Sequence, residues 1–65
     1  MSILKLPTKV LKARKKLGWT QLKLAQEADV TPQTILKIES GEIPSLKTLI
    51  KVAKALNEAP AWFLQ

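Results

Sequence analysis

The chain has 65 residues, 46% of them hydrophobic, and a formal charge of +6 from 11 Lys and Arg against 5 Asp and Glu. It lacks cysteine, histidine and tyrosine, which excludes disulfides, thiol or imidazole catalysis and the usual zinc ligand sets, and leaves an apolar core to hold the fold. A chain of this length suits one small domain, 1–65, burying about 60% of its unfolded surface. Met1 to Leu6 is too short for the apolar region of a signal peptide, and no stretch approaches the roughly 20 apolar residues of a membrane span, so a reducing cytoplasm is the expected location.

An all-α fold of five helices is predicted. The first helix spans about Pro7 to Leu17, with Val10, Leu11, Ala13 and Leu17 inward, Lys9, Lys12, Lys15 and Lys16 outward, and Gly18 as a left-handed stop. The second is capped by Thr20, whose hydroxyl can accept from a free backbone N–H, and it ends near Ala28. Asp29, Val30 and Thr31 form a turn. Thr31 then caps the third helix, Pro32 fits its first position because the missing N–H would have no helical partner there, and Gly41 ends it. After the connection Glu42-Ile43-Pro44, Ser45 caps a fourth helix in which Leu46, Leu49, Ile50, Ala53 and Leu56 recur at helical spacing, and Asn57 closes it in the left-handed region. Pro60 opens a short fifth helix whose Trp62, Phe63 and Leu64 form a lid on the core, with Trp62 as its expected anchor.

The second and third helices carry the functional signal. From Thr20 to Gly41 the chain reads as a helix-turn-helix: Ala25 is small where the helices cross, while Leu24, Ala28, Val30, Ile35 and Ile38 fall on the facing sides. Gln21, Gln33 and Lys37 are left on one outer surface. Such a pair places its second helix in the major groove of double-stranded DNA. The charge pattern agrees, because Lys5, Lys9, Lys12, Arg14, Lys15, Lys16 and Lys23 all precede the first acid, Glu27, and so basic a surface suits a polyanion. Gln33 can pair with adenine N6 and N7 together, and Lys37 can donate to guanine O6 or N7. Lys23 stands in the first turn of the second helix, where the dipole disfavours a cation unless a phosphate is near, although a long exposed side chain also tolerates the position. The helix N-terminus at Thr20 and Gln21 offers N–H groups to the same phosphate.

Arg14, Leu17, Gly18, Thr20-Gln21, Leu24-Ala25, Val30, Thr34-Ile35, Ile38-Glu39, Gly41, Pro44-Ser45-Leu46 and Ala53-Leu56-Asn57 together resemble the Cro/C1-type helix-turn-helix domain of phage repressors, over nearly the whole chain. The ending from Asn57 to Trp62 is similar to the tail of the all-helical lambdoid Cro proteins. The resemblance implies a compact five-helix domain that regulates transcription, of repressor type, as a weak homodimer on a pseudo-palindromic site in the nucleoid. It implies base reading by Pro32, Gln33 and Lys37, and contacts to the DNA backbone from Thr20, Gln21, Lys23 and Thr34. Gln21 is further implied to brace a base-reading residue, and Arg14 and Glu39 to form a structural ion pair tying the first helix to the end of the third. No catalytic residue, cofactor, metal or small-molecule substrate is expected.

The chain departs from the family pattern at three places. Asp29 replaces the preferred left-handed Gly, Leu22 and Leu36 stand where polar residues are usual, and Glu42 lies in a loop where relatives carry amide or basic groups. A composition rich in Lys, Leu, Ile and Ala also fits a designed sequence on this scaffold, in which DNA binding need not be kept. An antitoxin-type module contacting a protein through Leu22, Leu36, Phe63 or Leu64 is the third reading. The basic first helix alone suggests a membrane-surface peptide, but the apolar residues of helices two to four argue for a globular core.

Overall fold

The computed structural model describes residues 5–64; residues 1–4, part of the stretch weighed as a signal peptide, lie outside it with residue 65 and the side chain of Leu64. Four α-helices follow one another, α1 (Leu6–Lys16), α2 (Gln21–Ala28), α3 (Pro32–Glu39) and α4 (Leu46–Ala55), then a 3-10 helix (Pro60–Leu64). The fifth expected helix is thus a 3-10 element. Five residues form too few helical bonds to persist unaided, so tertiary docking sets their conformation. None of these helices is long and apolar enough to cross a membrane.

Helix starts follow from side-chain chemistry. The hydroxyls of Thr20, Thr31 and Ser45 accept from the N–H groups of Lys23, Thr34 and Thr48 at 3.0, 3.3 and 3.2 Å, each filling a donor the helix cannot satisfy itself. Helix ends share one device. Gly18, Asp29, Gly41 and Asn57 all have positive φ, and after each helix the next N–H groups turn back to carbonyls three and five residues earlier. At α3, for example, Gly41 donates to Ile38 at 3.1 Å and Glu42 to Lys37 at 3.0 Å. This paired closure satisfies the last carbonyls and reverses the chain within a few residues. Asp29 adopts it at φ 57°, so the departure from glycine leaves the turn intact.

The core gathers Leu6 and Val10 from α1, Leu24, Ala25 and Ala28 from α2, Ile35 and Ile38 from α3, Val52, Ala53 and Leu56 from α4, and Phe63. With Val30 packed at its edge, these residues cross α2 over α3 where the small Ala25 permits close approach.

Several expectations need correction. Leu17 is exposed, because α1 stops at Lys16 and the Gly18 turn carries the side chain away. Leu46 is 70% exposed: it is the first residue of α4, a turn before that helix reaches the core, and the inward positions are Val52, Ala53 and Leu56. Lys9 is half-buried rather than outward; its Nζ donates to the Trp62 carbonyl at 2.6 Å and sits 5.6 Å from the Trp62 ring. The lid is anchored by Phe63, 1% exposed, while Trp62 is half-buried beside it with ring centroids 4.8 Å apart. A five-residue turn can send one large ring into the core, and the neighbouring ring then lies across the rim. Phe63 is therefore no surface contact for a partner.

Phe63→Ala is expected to destabilise the fold by about 3–5 kcal/mol, as for other buried aromatics. Trp62→Ala should cost clearly less, and urea unfolding of the two variants gives the order.

Candidate nucleic-acid interface

The orientation of α3 rests on a largely covered charge pair. Arg14 Nε donates to Glu39 Oε2 at 2.7 Å and Nη2 to Oε1 at 3.0 Å, with the two side chains only 11% and 8% exposed. This two-pronged pairing joins α1 to the last residue of α3 and fixes both distance and angle. Nη1 of the same guanidinium donates to the Trp19 carbonyl at 2.8 Å, and Gln21 Nε2 donates to Glu39 Oε1 at 3.0 Å. One carboxylate thus holds the end of α3, the body of α1 and the first residue of α2.

The partner of Gln21 is therefore Glu39. Its side-chain amide thus supports the Arg14–Glu39 pair. Gln21 remains half-buried at the start of α2, beside the N-terminal N–H groups.

On α3, Pro32, Gln33 and Lys37 are exposed while Ile35 and Ile38 point into the core. Gln33 and Lys37 are one helical turn apart and share a face. Thr34 is half-buried and its hydroxyl lies 3.0 Å from that of Thr31, so it forms part of the cap and lines a shallow depression with Lys37, Glu42, Pro44 and Thr48. Glu42 is exposed at the rim of that depression. The Thr20 hydroxyl accepts from the Lys23 N–H, which leaves its O–H, together with the helix N-terminal N–H groups, able to donate to an anion.

Lys23 has its own neighbours. Its Nζ lies 3.2 Å from Glu27 Oε2, one turn along α2, and 6.0 Å from the centre of the Trp19 ring. Both side chains of the pair are about half exposed, so the bridge is weak and a phosphate can compete for the ammonium. Trp19 is a functional neighbour that reasoning along the sequence missed. It follows the Gly18 turn and precedes the Thr20 cap, positions where an apolar residue packs back on both helices, and that signal was available. Leu22 and Leu36 are 53% and 46% exposed, on α2 and α3. Among the described residues no group of three or more metal-ligating side chains occurs.

A family model described as helix-turn-helix matches residues 10–63. The chain belongs to the Cro/C1-type helix-turn-helix family. It is 40% identical over 50 residues to YgzD, an uncharacterised HTH-type transcriptional regulator of Bacillus subtilis (strain 168), covering 75% of this chain and 76% of the relative. It is 44% identical over 51 residues to another uncharacterised HTH-type transcriptional regulator, from Methanothermobacter thermautotrophicus, covering 77% and 74%. Among solved structures, a chain of a SinR protein/SinI protein complex superposes with a TM-score of 0.85 at 26% identity, over 92% of this chain and 60% of that one. The all-α fold is that of the family, and the relatives place the chain among HTH-type transcriptional regulators.

Removing either member of the charge pair leaves the other buried and uncompensated, so Arg14→Ala and Glu39→Ala should each cost about 3–5 kcal/mol. The double variant Arg14→Ala/Glu39→Ala should lose far less than the sum of the two single variants, as read from urea unfolding in a double-mutant cycle.

Proposed function

We propose that the chain is a sequence-specific, double-stranded DNA-binding transcriptional regulator of repressor type, reading the major groove with α3. The observation that carries this reading is the exposed polar face of α3, Gln33 and Lys37, held at a set angle by the nearly buried Arg14–Glu39 pair. Pro32 and Gln33 enter first, Gln33 on adenine and Lys37 on guanine, while Thr20, Gln21 and Lys23 at the N-terminus of α2, and Thr34 on α3, meet the phosphates. The net charge of +6 supports such a partner. The role is binding without catalysis, in the nucleoid of the cytoplasm.

A second copy completes the site. With extents of 28 × 20 × 18 Å one copy is shorter than the roughly 34 Å between successive major grooves on one face of DNA, so reading both needs two copies on a pseudo-palindrome. The exposed Ile43, and the exposed Leu46 beside Pro60 and Ala61, supply apolar surface for a weak homodimer formed on DNA. A protein-binding module of the antitoxin kind is the second reading, favoured by the exposed Leu22 and by a structural neighbour solved as a protein–protein complex.

Lys23→Ala is expected to weaken binding to all duplexes alike and to flatten the log–log salt slope by about 0.9. Gln33→Ala should cost about 1–3 kcal/mol on the preferred duplex, with non-specific binding and the salt slope nearly unchanged. Glu42→Lys should strengthen both kinds of binding, since it replaces a repelled carboxylate with a phosphate contact. Salt-titrated binding to selected and random duplexes measures all three. If no duplex is preferred at physiological salt, the chain keeps the fold without the readout, as in a designed scaffold.

A further inference from the structure

We infer that Leu36 reads the 5-methyl group of thymine. This inference rests on the DNA-binding reading above. Gln33, Leu36 and Lys37 stand at i, i+3 and i+4 on α3, so the leucine and the lysine flank Gln33 on one outward face. It is 46% exposed, while its neighbours Ile35 and Ile38 fill the core, so a large part of its side chain stays open to a partner. The Ser40 hydroxyl donates to the Leu36 carbonyl at 2.7 Å, which holds the helix around this residue before any ligand arrives.

A lone leucine inside a hydrogen-bonding face needs an apolar target flanked by donors and acceptors. The edge of an A·T pair in the major groove has that make-up: adenine N6 and N7 beside thymine O4 and a methyl group. Gln33 suits the first pair of atoms and Leu36 the methyl, one helical turn away, on the same or the adjoining base pair. The positive charge of the chain favours this occupant over an apolar protein surface. Leu36, exposed beside Gln33, thereby becomes a determinant of specificity.

Uracil lacks only the methyl, so the test replaces each thymine of a selected duplex by uracil in turn and measures affinity by fluorescence anisotropy. For the wild-type chain one replacement, within two base pairs of the site sensitive to Gln33→Ala, should weaken binding about four-fold, the worth of one buried methyl. Leu36→Ala, checked by circular dichroism to keep its helical fold at the assay temperature, should bind the thymine and uracil duplexes equally, with an unchanged salt slope. The inference is overturned if every uracil duplex binds as tightly as its parent, or if Leu36→Ala retains the full preference for thymine. Either result leaves the DNA-binding reading standing. Failure to select any preferred duplex removes both.

Discussion

Everything that could meet DNA in this chain is oriented by the contact between the Arg14 guanidinium and the Glu39 carboxylate. α2 and α3 have eight residues each, too few to be stable as isolated helices, so their mutual angle must come from what they pack against. Apolar packing around Ala25, Ile35 and Ile38 sets how close they lie. It does not set rotation with the same sharpness, because dispersion contacts vary smoothly as one helix slides over another. The paired hydrogen bonds at 2.7 and 3.0 Å are directional, and they join α1 to the last residue of α3. Gln21 and the Trp19 carbonyl complete the surroundings of the pair, and no buried side-chain polar atom among the described residues is left unsatisfied.

The four left-handed closures play the corresponding part along the chain. In a molecule of this size each helix has to stop and reverse within a few residues, or its apolar face misses the common core. The same pair of backbone bonds recurs at Gly18, Asp29, Gly41 and Asn57, so loop length stays short and the entropy of ordering loops stays small. The hydroxyl caps at Thr20, Thr31 and Ser45 begin the following helices almost at once. Two of those starts, at α2 and α3, lie on the proposed DNA side, so the signals that punctuate the fold also position its candidate interface.

Charge is arranged with less economy. Of the acids, Glu39 is committed to the fold, Glu27 bridges Lys23, and Asp29 lies 4.0 Å from Lys51 in a turn. Glu42 is the exposed carboxylate beside Lys37, at the edge of the surface proposed to approach phosphates. The large surplus of lysine provides a general attraction to polyanions but no sequence information. On the proposed reading, discrimination between sequences comes from a few side chains on α3, where Gln33, Leu36 and Lys37 share the outward face.

The sequence by itself determined the four α-helices and, to within about two residues, their ends, because caps, turns and periodicity are local: hydroxyl to N–H over three residues, positive φ at Gly or Asn, apolar groups every three or four positions. It also determined that Gln33 and Lys37 face out together, since their spacing is a helical turn. Only the tertiary structure decided which of two adjacent rings enters the core, because Trp62 and Phe63 have similar local preferences and the choice depends on the space left by α1 and α4. The same holds for Leu46, whose periodicity is correct but whose place at the head of α4 lies beyond the reach of the core. Gln21 is the plainest case: a surface glutamine by pattern, it is drawn to Glu39 by a pair whose members are 25 residues apart in the chain, a proximity that packing alone creates.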